Sequence, residues 1–146
     1  MIKSIVQRLI SKTGKSYTID KDIPVGLIYY TLFTRFFMVV RGYLFLQKKV
    51  FVGKNCTFLN KSNIVFGKNV TIEKYTRLDG YAKEKIELGN NVKIGAYSNL
   101  LSTSHFSKYG KGLKMGNNSA IGDFTHFGAP GGIEIGENVI MGSYIS

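Results

Sequence analysis

The sequence predicts an all-β solenoid, in which short strands wind into stacked coils, for residues 50–146. One observation is a four-residue phrase, apolar–Gly–any–Asn, that occurs five times, with its glycines at Gly53, Gly67, Gly89, Gly116 and Gly136. Another is an apolar residue that returns every six positions, at Phe66, Ile72, Leu78, Leu88, Ile94, Leu100, Met115, Ile121, Phe127, Ile135 and Met141. A period of six fits neither an isolated helix nor a simple alternating strand, and it is typical of a solenoid.

Each six-residue unit assigns roles to four of its positions. The first residue points into the coil, and the fifth faces inward near a corner, where a compact or β-branched side chain is needed. The fifth-position residues are Val70, Thr76, Ala82, Val92, Ser98, Ser104, Ser119, Thr125, Val139 and Ile145. Glycine at the second position and asparagine at the fourth suit turns with positive φ. Three units make a coil of about 18 residues, so we expect about four coils.

The spacing of the five marker glycines predicts where the coils are irregular. Steps of 14, 22, 27 and 20 residues separate them. The first step is shorter than a coil, so we expect the opening coil to be incomplete or irregular. The later steps are longer than a coil, and they predict loops near residues 79–86, 104–112 and 130–133, all at one corner.

The chain divides into a helical N-terminal segment, residues 1–49, and the solenoid, residues 50–146. A solenoid needs a cap at each end of its stack. The chain stops at Ser146, midway through a coil that has shown two six-residue units. We therefore expect the sequence to be a fragment of a longer protein or a natural truncation.

The positive charge is concentrated in the N-terminal part of the chain. Residues 1–61 hold 11 Lys and Arg against two Asp, a balance of +9, and the remaining residues carry +2 of the total of +11. Such asymmetry indicates contact with an anionic surface. Nucleic acid is not the expected partner, because the basic residues alternate with aliphatic ones at helical spacing and form no known nucleic-acid module.

Two helices are predicted in residues 1–49. Residues 1–12 place five aliphatic side chains on one face and form an amphipathic helix. Asp22 and Pro24 suit the start of a second helix that runs to about Leu46. This helix is apolar almost all round but carries Arg35 and Arg41, and its longest uncharged run has 12 residues, fewer than the roughly 20 that span a bilayer.

Three interpretations of the second helix remain open. It binds the membrane interface, with aromatic rings at headgroup depth and basic side chains on anionic lipid. Alternatively, it packs on the open end of the solenoid as a cap, or it spans the membrane. The first two are compatible with each other.

Cys56 is the only cysteine, which excludes an intrachain disulfide. It occupies the fifth position of its unit, where a small apolar group is needed. We expect a packed thiol rather than a nucleophile, and a reducing, cytoplasmic compartment.

Several phrases resemble the hexapeptide-repeat acyltransferases. They are IGAYSN at 94–99, IGDFTH at 121–126 and IEIGENVIMGSYIS at 133–146. The stretch 127–142 is similar to the O-acetyltransferases encoded with bacterial polysaccharide genes. The resemblance implies a left-handed parallel β-helix and a homotrimer. It also implies transfer of an acetyl group from acetyl-coenzyme A to a sugar hydroxyl of a surface polysaccharide or its precursor. We expect the basic, apolar N-terminal segment to hold the enzyme at the inner face of the cytoplasmic membrane, where such precursors are built.

The family removes the hydroxyl proton with a neutral histidine, and the resemblance places that histidine beyond Ser146. Within this chain the candidates are His126 and His105, each of which is otherwise a corner histidine bonded to backbone. The resemblance also suggests that Gly128, Pro130, Gly131 and Gly132 form a wall of the acetyl-coenzyme A groove; alternatively, they form a corner that merely needs glycine. The two histidines fall on different faces, so no zinc or other metal is expected.

Two other functions compete with the transferase. In the first alternative, the chain is a non-catalytic truncated solenoid that serves as an assembly or binding module. In the second alternative, the N-terminal helices are the working part and the solenoid is a trimerising stalk.

Overall fold

The computed structural model describes residues 1–12, 17–103 and 105–146. The chain forms two compact units, Met1–Phe37 and Met38–Ser146. The described residues contain two α-helices, α1 (Ile2–Lys12) and α2 (Val25–Leu46), and one short 3-10 helix, Lys61–Asn63. Among these residues no helix combines the length and apolar character needed to cross a bilayer.

Twelve short strands follow α2 in the described part of the chain. They are β1 (Phe51–Val52), β2 (Thr57–Leu59), β3 (Ile64–Phe66), β4 (Thr71–Ile72), β5 (Arg77–Asp79), β6 (Ile86–Leu88), β7 (Lys93–Ile94), β8 (Asn99–Leu101), β9 (Leu113–Met115), β10 (Ala120–Ile121), β11 (His126–Gly128) and β12 (Ile133–Ile135).

The strands form three parallel sheets of four strands each. Sheet A contains β1, β4, β7 and β10; sheet B contains β2, β5, β8 and β11; sheet C contains β3, β6, β9 and β12. Consecutive strands of the chain belong to different sheets, and each strand pairs with its equivalent one coil away. The chain is therefore a parallel β-solenoid of four coils, which confirms the predicted fold class and coil number.

The opening coil, predicted to be incomplete or irregular, is complete, so the first of these alternatives is wrong. Strands β1, β2 and β3 supply all three of its sides. The short first step compares two different corners, because Gly53 follows a strand of sheet A whereas Gly67, Gly89 and Gly116 follow strands of sheet C.

The six-residue period marks the core. Most first-position residues are buried, with Ile72, Leu78 and Ile94 fully enclosed, while Phe66 and Met141 pack at its edge. The buried fifth-position residues Thr76, Ser98 and Ser119 have their hydroxyls bonded to the neighbouring coil: Thr76 Oγ1 donates to the Gly95 carbonyl at 2.9 Å. The Thr125 hydroxyl donates within its own coil, to the Gly122 carbonyl at 2.9 Å. Such bonds remove the penalty of burying a hydroxyl. The fifth-position residue Ser104 lies outside the described residues.

The glycine and the asparagine of the phrase meet different structural requirements. Asparagine at the fourth position has φ between 55° and 59° at Asn55, Asn69, Asn91, Asn118 and Asn138, as predicted. The phrase glycines do not adopt positive φ. At Gly53, Gly67, Gly89 and Gly116 glycine is needed because neighbouring coils approach closely: a Cβ at residue 53 would lie 2.3 Å from the backbone nitrogen of Lys74. A Cβ at Gly136 would meet no described atom within 4 Å.

The connections of variable length between consecutive strands all lie at the corner between sheets B and C. They comprise residues 60–63, 80–85, 102–112 (apart from Ser104) and 129–132. The prediction that the extra residues are ejected at one corner is confirmed. These loops therefore lie beside the outer face of sheet B, along one edge of the solenoid.

The corner after sheet A carries a row of stacked rings, here named the aromatic row: Tyr75, Tyr97, Phe124 and Tyr144. Their ring centroids are 5.0–5.1 Å apart and their planes lie within 4° of parallel. All four residues have φ between 56° and 60°, the conformation that asparagine adopts at the other glycine-marked corner. Stacking of about 0.5–1.5 kcal/mol per pair offsets part of the cost of that conformation for bulky residues.

The last turns of α2 pack within the second unit. Leu46 is buried in the same hydrophobic cluster as Val50 and Val52. Arg41 Nη1 donates to the Val52 carbonyl at 3.1 Å, and Lys61 Nζ donates to the Phe45 carbonyl at 2.7 Å. This is the packing that the capping interpretation predicts for the end of the helix.

Candidate functional site

The outer face of sheet B carries one row of polar side chains across all four coils. Side chains alternate along each strand, and the middle residues Leu78, Leu100 and Phe127 point into the core. The first residue of each strand therefore faces outward, and the register aligns Thr57, Arg77, Asn99 and His126. A second outward row consists of Leu59, Asp79, Leu101 and Gly128.

The two charges of this face neutralise each other. Arg77 Nη2 lies 3.7 Å from Asp79 Oδ2, and Asp79 is nearly buried. The other carboxylate oxygen, Oδ1, accepts the Tyr81 backbone N–H at 2.9 Å. Apart from Arg77, the outward row consists of Thr57, Asn99 and His126.

His126 begins β11 and is exposed. Its backbone N–H donates to the Ile145 carbonyl at 2.7 Å, which fixes the main chain. Among the described residues no hydrogen bond of its imidazole is recorded. A ring that is exposed on a rigid strand can meet a substrate hydroxyl without a rearrangement of the fold.

His105 lies in the loop between β8 and β9, where its ring is already engaged. Its Nδ1 accepts the Ser107 backbone N–H at 3.1 Å and lies 2.9 Å from Ser107 Oγ. In the neutral ring Nδ1 is then the acceptor and Nε2 carries the hydrogen. No nitrogen of that tautomer remains free to take a proton, so the geometry favours His126 over His105 as a base.

The turn that follows His126 contains the glycines predicted to line a groove. A Cβ added at Gly128 or Gly131 would meet no described atom within 4 Å. Gly132 has φ of 90° and faces the Lys111 side chain, so glycine is required there by the backbone. The turn is tied to the preceding loop, because the Lys111 N–H donates to the Pro130 carbonyl at 3.0 Å.

The structure thus brings most of the predicted site residues together. His126 and Gly128 lie on the same face of one strand, two residues apart, and residues 130–132 form the adjoining turn. His105 belongs to the neighbouring loop. The sequence did not identify Asn99 or the Arg77–Asp79 pair as site residues. Arg77 and Asn99 nevertheless occupy the same sixth position of their units as His126.

Cys56 is placed as a packed thiol. It is partly buried against the core cluster, and its Sγ donates to the Glu73 carbonyl at 3.0 Å. Burial is the largest influence and raises the pKa of the thiol above its ordinary value. A raised pKa keeps the group protonated, and the thiolate is the reactive form.

Two surface cavities lie away from this face. One, of about 220 Å³, is lined by the end of α2 and by Lys48, Lys61 and Phe66. The other, of about 290 Å³, runs along β7 and β10 beside Asp123. Neither includes His126 or the glycine turn.

No group of three or more histidine, cysteine, aspartate or glutamate side chains able to hold a metal ion occurs in residues 1–12, 17–103 and 105–146. Comparisons with models of known protein families, with curated proteins and with solved structures found no match.

Proposed function

We propose that the chain acts in an acetyl-coenzyme A-dependent O-acetyltransferase that modifies a hydroxyl of a bacterial surface polysaccharide or its precursor. The observation that carries the proposal is His126, an exposed imidazole on a rigid parallel solenoid, next to a turn with almost no side chains. The resemblance described from the sequence supplies the reaction class, since a fold alone does not fix a function.

The described residues fit the roles that this reaction needs. His126 Nε2 accepts the proton of the sugar hydroxyl as its oxygen forms a bond to the thioester carbonyl carbon. The carbon–sulfur bond breaks, and His126 returns the proton to the departing sulfur. The Gly131 N–H, for which no acceptor is recorded among the described residues, donates to the carbonyl oxygen as negative charge develops there.

The open space at Gly128 and Gly131 supports binding of the acetyl-coenzyme A arm along this turn, because a ligand can approach the backbone there. We infer that a second copy of the chain supplies the opposite wall in a homotrimer of left-handed β-helices. The exposed His126 and the open space at Gly128 and Gly131 are what such sharing predicts. Light scattering checks it, with an expected mass of three times 16.3 kDa.

We also propose that residues 1–49 hold the enzyme on the inner face of the cytoplasmic membrane. Helix α1 exposes Ile5 and Leu9 and contains Lys3, Arg8 and Lys12. Helix α2 exposes seven aromatic side chains by 42–68%: Tyr29, Tyr30, Phe33, Phe36, Phe37, Tyr43 and Phe45. Exposed aromatic residues together with excess positive charge favour an anionic lipid interface.

The test is acetyl transfer by variants of the two histidines. Labelled acetyl-coenzyme A is incubated with the protein and a surface polysaccharide fraction of the source organism, and base-labile label in the polysaccharide is measured. His126→Ala should lower kcat about 10²–10⁴-fold, and His105→Ala should leave it nearly unchanged. Equal activity of His126→Ala and the unmodified protein would exclude His126 as the catalytic base. Absence of transfer by the unmodified protein favours the binding module.

A further inference from the structure

Asn99 carries an unusual buried atom. Its side-chain oxygen Oδ1 is inaccessible to solvent and has no hydrogen-bond partner among the described residues. A buried polar atom without a partner costs about 1–3 kcal/mol. Such atoms are rare in native proteins, and each one needs an explanation. The position of Asn99, between Arg77 and His126 in the outward row of sheet B, provides one.

The two neighbours in this row differ in what they can donate. Arg77 is one coil below Asn99 and His126 is one coil above it, each on an adjacent strand about 4.8 Å away. The guanidinium of Arg77 lies towards Asp79. His126 has no recorded partner for its ring among the described residues. In the structure this ring is not hydrogen-bonded to Asn99 Oδ1, so a side-chain rotation has to bring an imidazole N–H from the coil above to that oxygen.

We propose that Asn99 is a positioning residue, whose Oδ1 accepts the Nδ1–H of His126. This bond selects the tautomer that carries its hydrogen on Nδ1 and leaves the lone pair of Nε2 free, directed away from the sheet. Its catalytic meaning rests on the proposed function, because the free Nε2 is the atom that would take the hydroxyl proton. The amide orients the ring without adding a charge, unlike a carboxylate in the same place.

The chain contains its own comparison for this assignment. His105 uses Nδ1 as an acceptor of the Ser107 N–H, so its neutral ring carries the hydrogen on Nε2. The two histidines should therefore be opposite tautomers in one protein. The other charged groups on the outer face of sheet B, in the part of the chain that the structure describes, are Arg77 and Asp79, which pair with each other.

Long-range proton–nitrogen NMR of the ¹⁵N-labelled chain measures both tautomers directly, without any ligand. Signals are assigned with His126→Gln and His105→Gln. We expect Nδ1–H for His126 and Nε2–H for His105. In Asn99→Leu, His126 should lose its Nδ1–H preference while His105 stays unchanged. Asn99→Asp keeps the shape and should retain the tautomer, with the ring titrating at higher pH because a carboxylate stabilises the imidazolium.

An Nε2–H tautomer of His126 in the unmodified protein would overturn the inference. So would an Nδ1–H form that persists in Asn99→Leu, provided that circular dichroism shows the solenoid intact. If Asn99→Leu unfolds, an unchanged His126 titration in Asn99→Asp would reject it independently. Failure of the proposed function is distinguishable, because a protein without acetyl transfer would still show the Asn99-dependent tautomer.

Discussion

Replacing Gly116 by alanine should destabilise the solenoid through a direct clash between coils. A Cβ at residue 116 would lie 2.6 Å from the carbonyl carbon of Gly136 and 2.7 Å from the nitrogen of Glu137. Both are backbone atoms, so a rotamer change cannot relieve the contact, and the coils must separate. The bonds that resist separation include Gly116 N–H to the Ile135 carbonyl, at 2.8 Å, and Asn138 N–H to the Asn117 carbonyl, at 3.0 Å.

The expected cost follows from three contributions. Forcing extra atoms into a packed site costs about 1–3 kcal/mol. Weakening the two hydrogen bonds costs about 1 kcal/mol each. The lower entropy of the unfolded alanine variant returns about 0.4–1 kcal/mol. We therefore expect Gly116→Ala to lower the free energy of unfolding by about 2–4 kcal/mol.

Gly136→Ala is the matched control. Gly136 holds the same position in the same phrase, but in this 146-residue chain its added Cβ meets no described atom within 4 Å. Urea unfolding followed by far-ultraviolet circular dichroism compares both variants with the unmodified chain. Gly136→Ala should stay within about 0.5–1 kcal/mol of it. Equal effects of the two substitutions would refute the close-approach explanation.

Three further predictions concern other parts of the chain. Tyr97→Ala removes two ring stacks and should lower the free energy of unfolding in urea by about 1–3 kcal/mol. A smaller decrease in Tyr97→Ala than in Tyr97→Asn would contradict this prediction. Burial raises the pKa of Cys56, so its contribution to stability is complete below the ordinary value of 9.0 and is lost as the pH rises through the folded pKa. The unmodified chain should thus lose more stability than Cys56→Ala between about pH 8 and pH 10. Equal losses of stability in the two proteins would contradict this prediction. The double variant Phe33→Ser/Phe36→Ser should bind phosphatidylglycerol vesicles at least about tenfold more weakly, whereas the control Phe106→Ser, on an exposed solenoid loop, should bind normally.

The sequence was most informative where one residue type repeats a single physical requirement. Core positions such as Ile72 and Ile94 recur every six residues because every side of every coil needs one inward apolar group. The asparagines of the phrase follow from the left-handed backbone of their corner. The phrase glycines were explained less well, because the close approach of coils depends on their stacking, which is not visible in a local turn.

Features that depend on stacking across coils could not be read from local pattern. Asn99 and His126 are 27 residues apart, and they become neighbours only because the loop 102–112, apart from Ser104, leaves the solenoid at a corner without disturbing the register. Misassignment of the opening coil has the same origin, since Gly53 looks identical to Gly67 in sequence but marks a different corner. The aromatic row shares a fourth position in its units, yet stacking becomes evident only once the coils are aligned.

Binding of acetyl-coenzyme A tests the proposed transferase most directly. Thermal unfolding of the protein is recorded with increasing acetyl-coenzyme A and, as a control for a chain of net charge +11, with ATP at matched ionic strength. A ligand selective for the folded state stabilises it by about 2.7 kcal/mol at one hundred times its Kd. The account predicts a saturable rise in Tm that is larger for acetyl-coenzyme A than for ATP. No rise, or an equal rise with ATP, would contradict it.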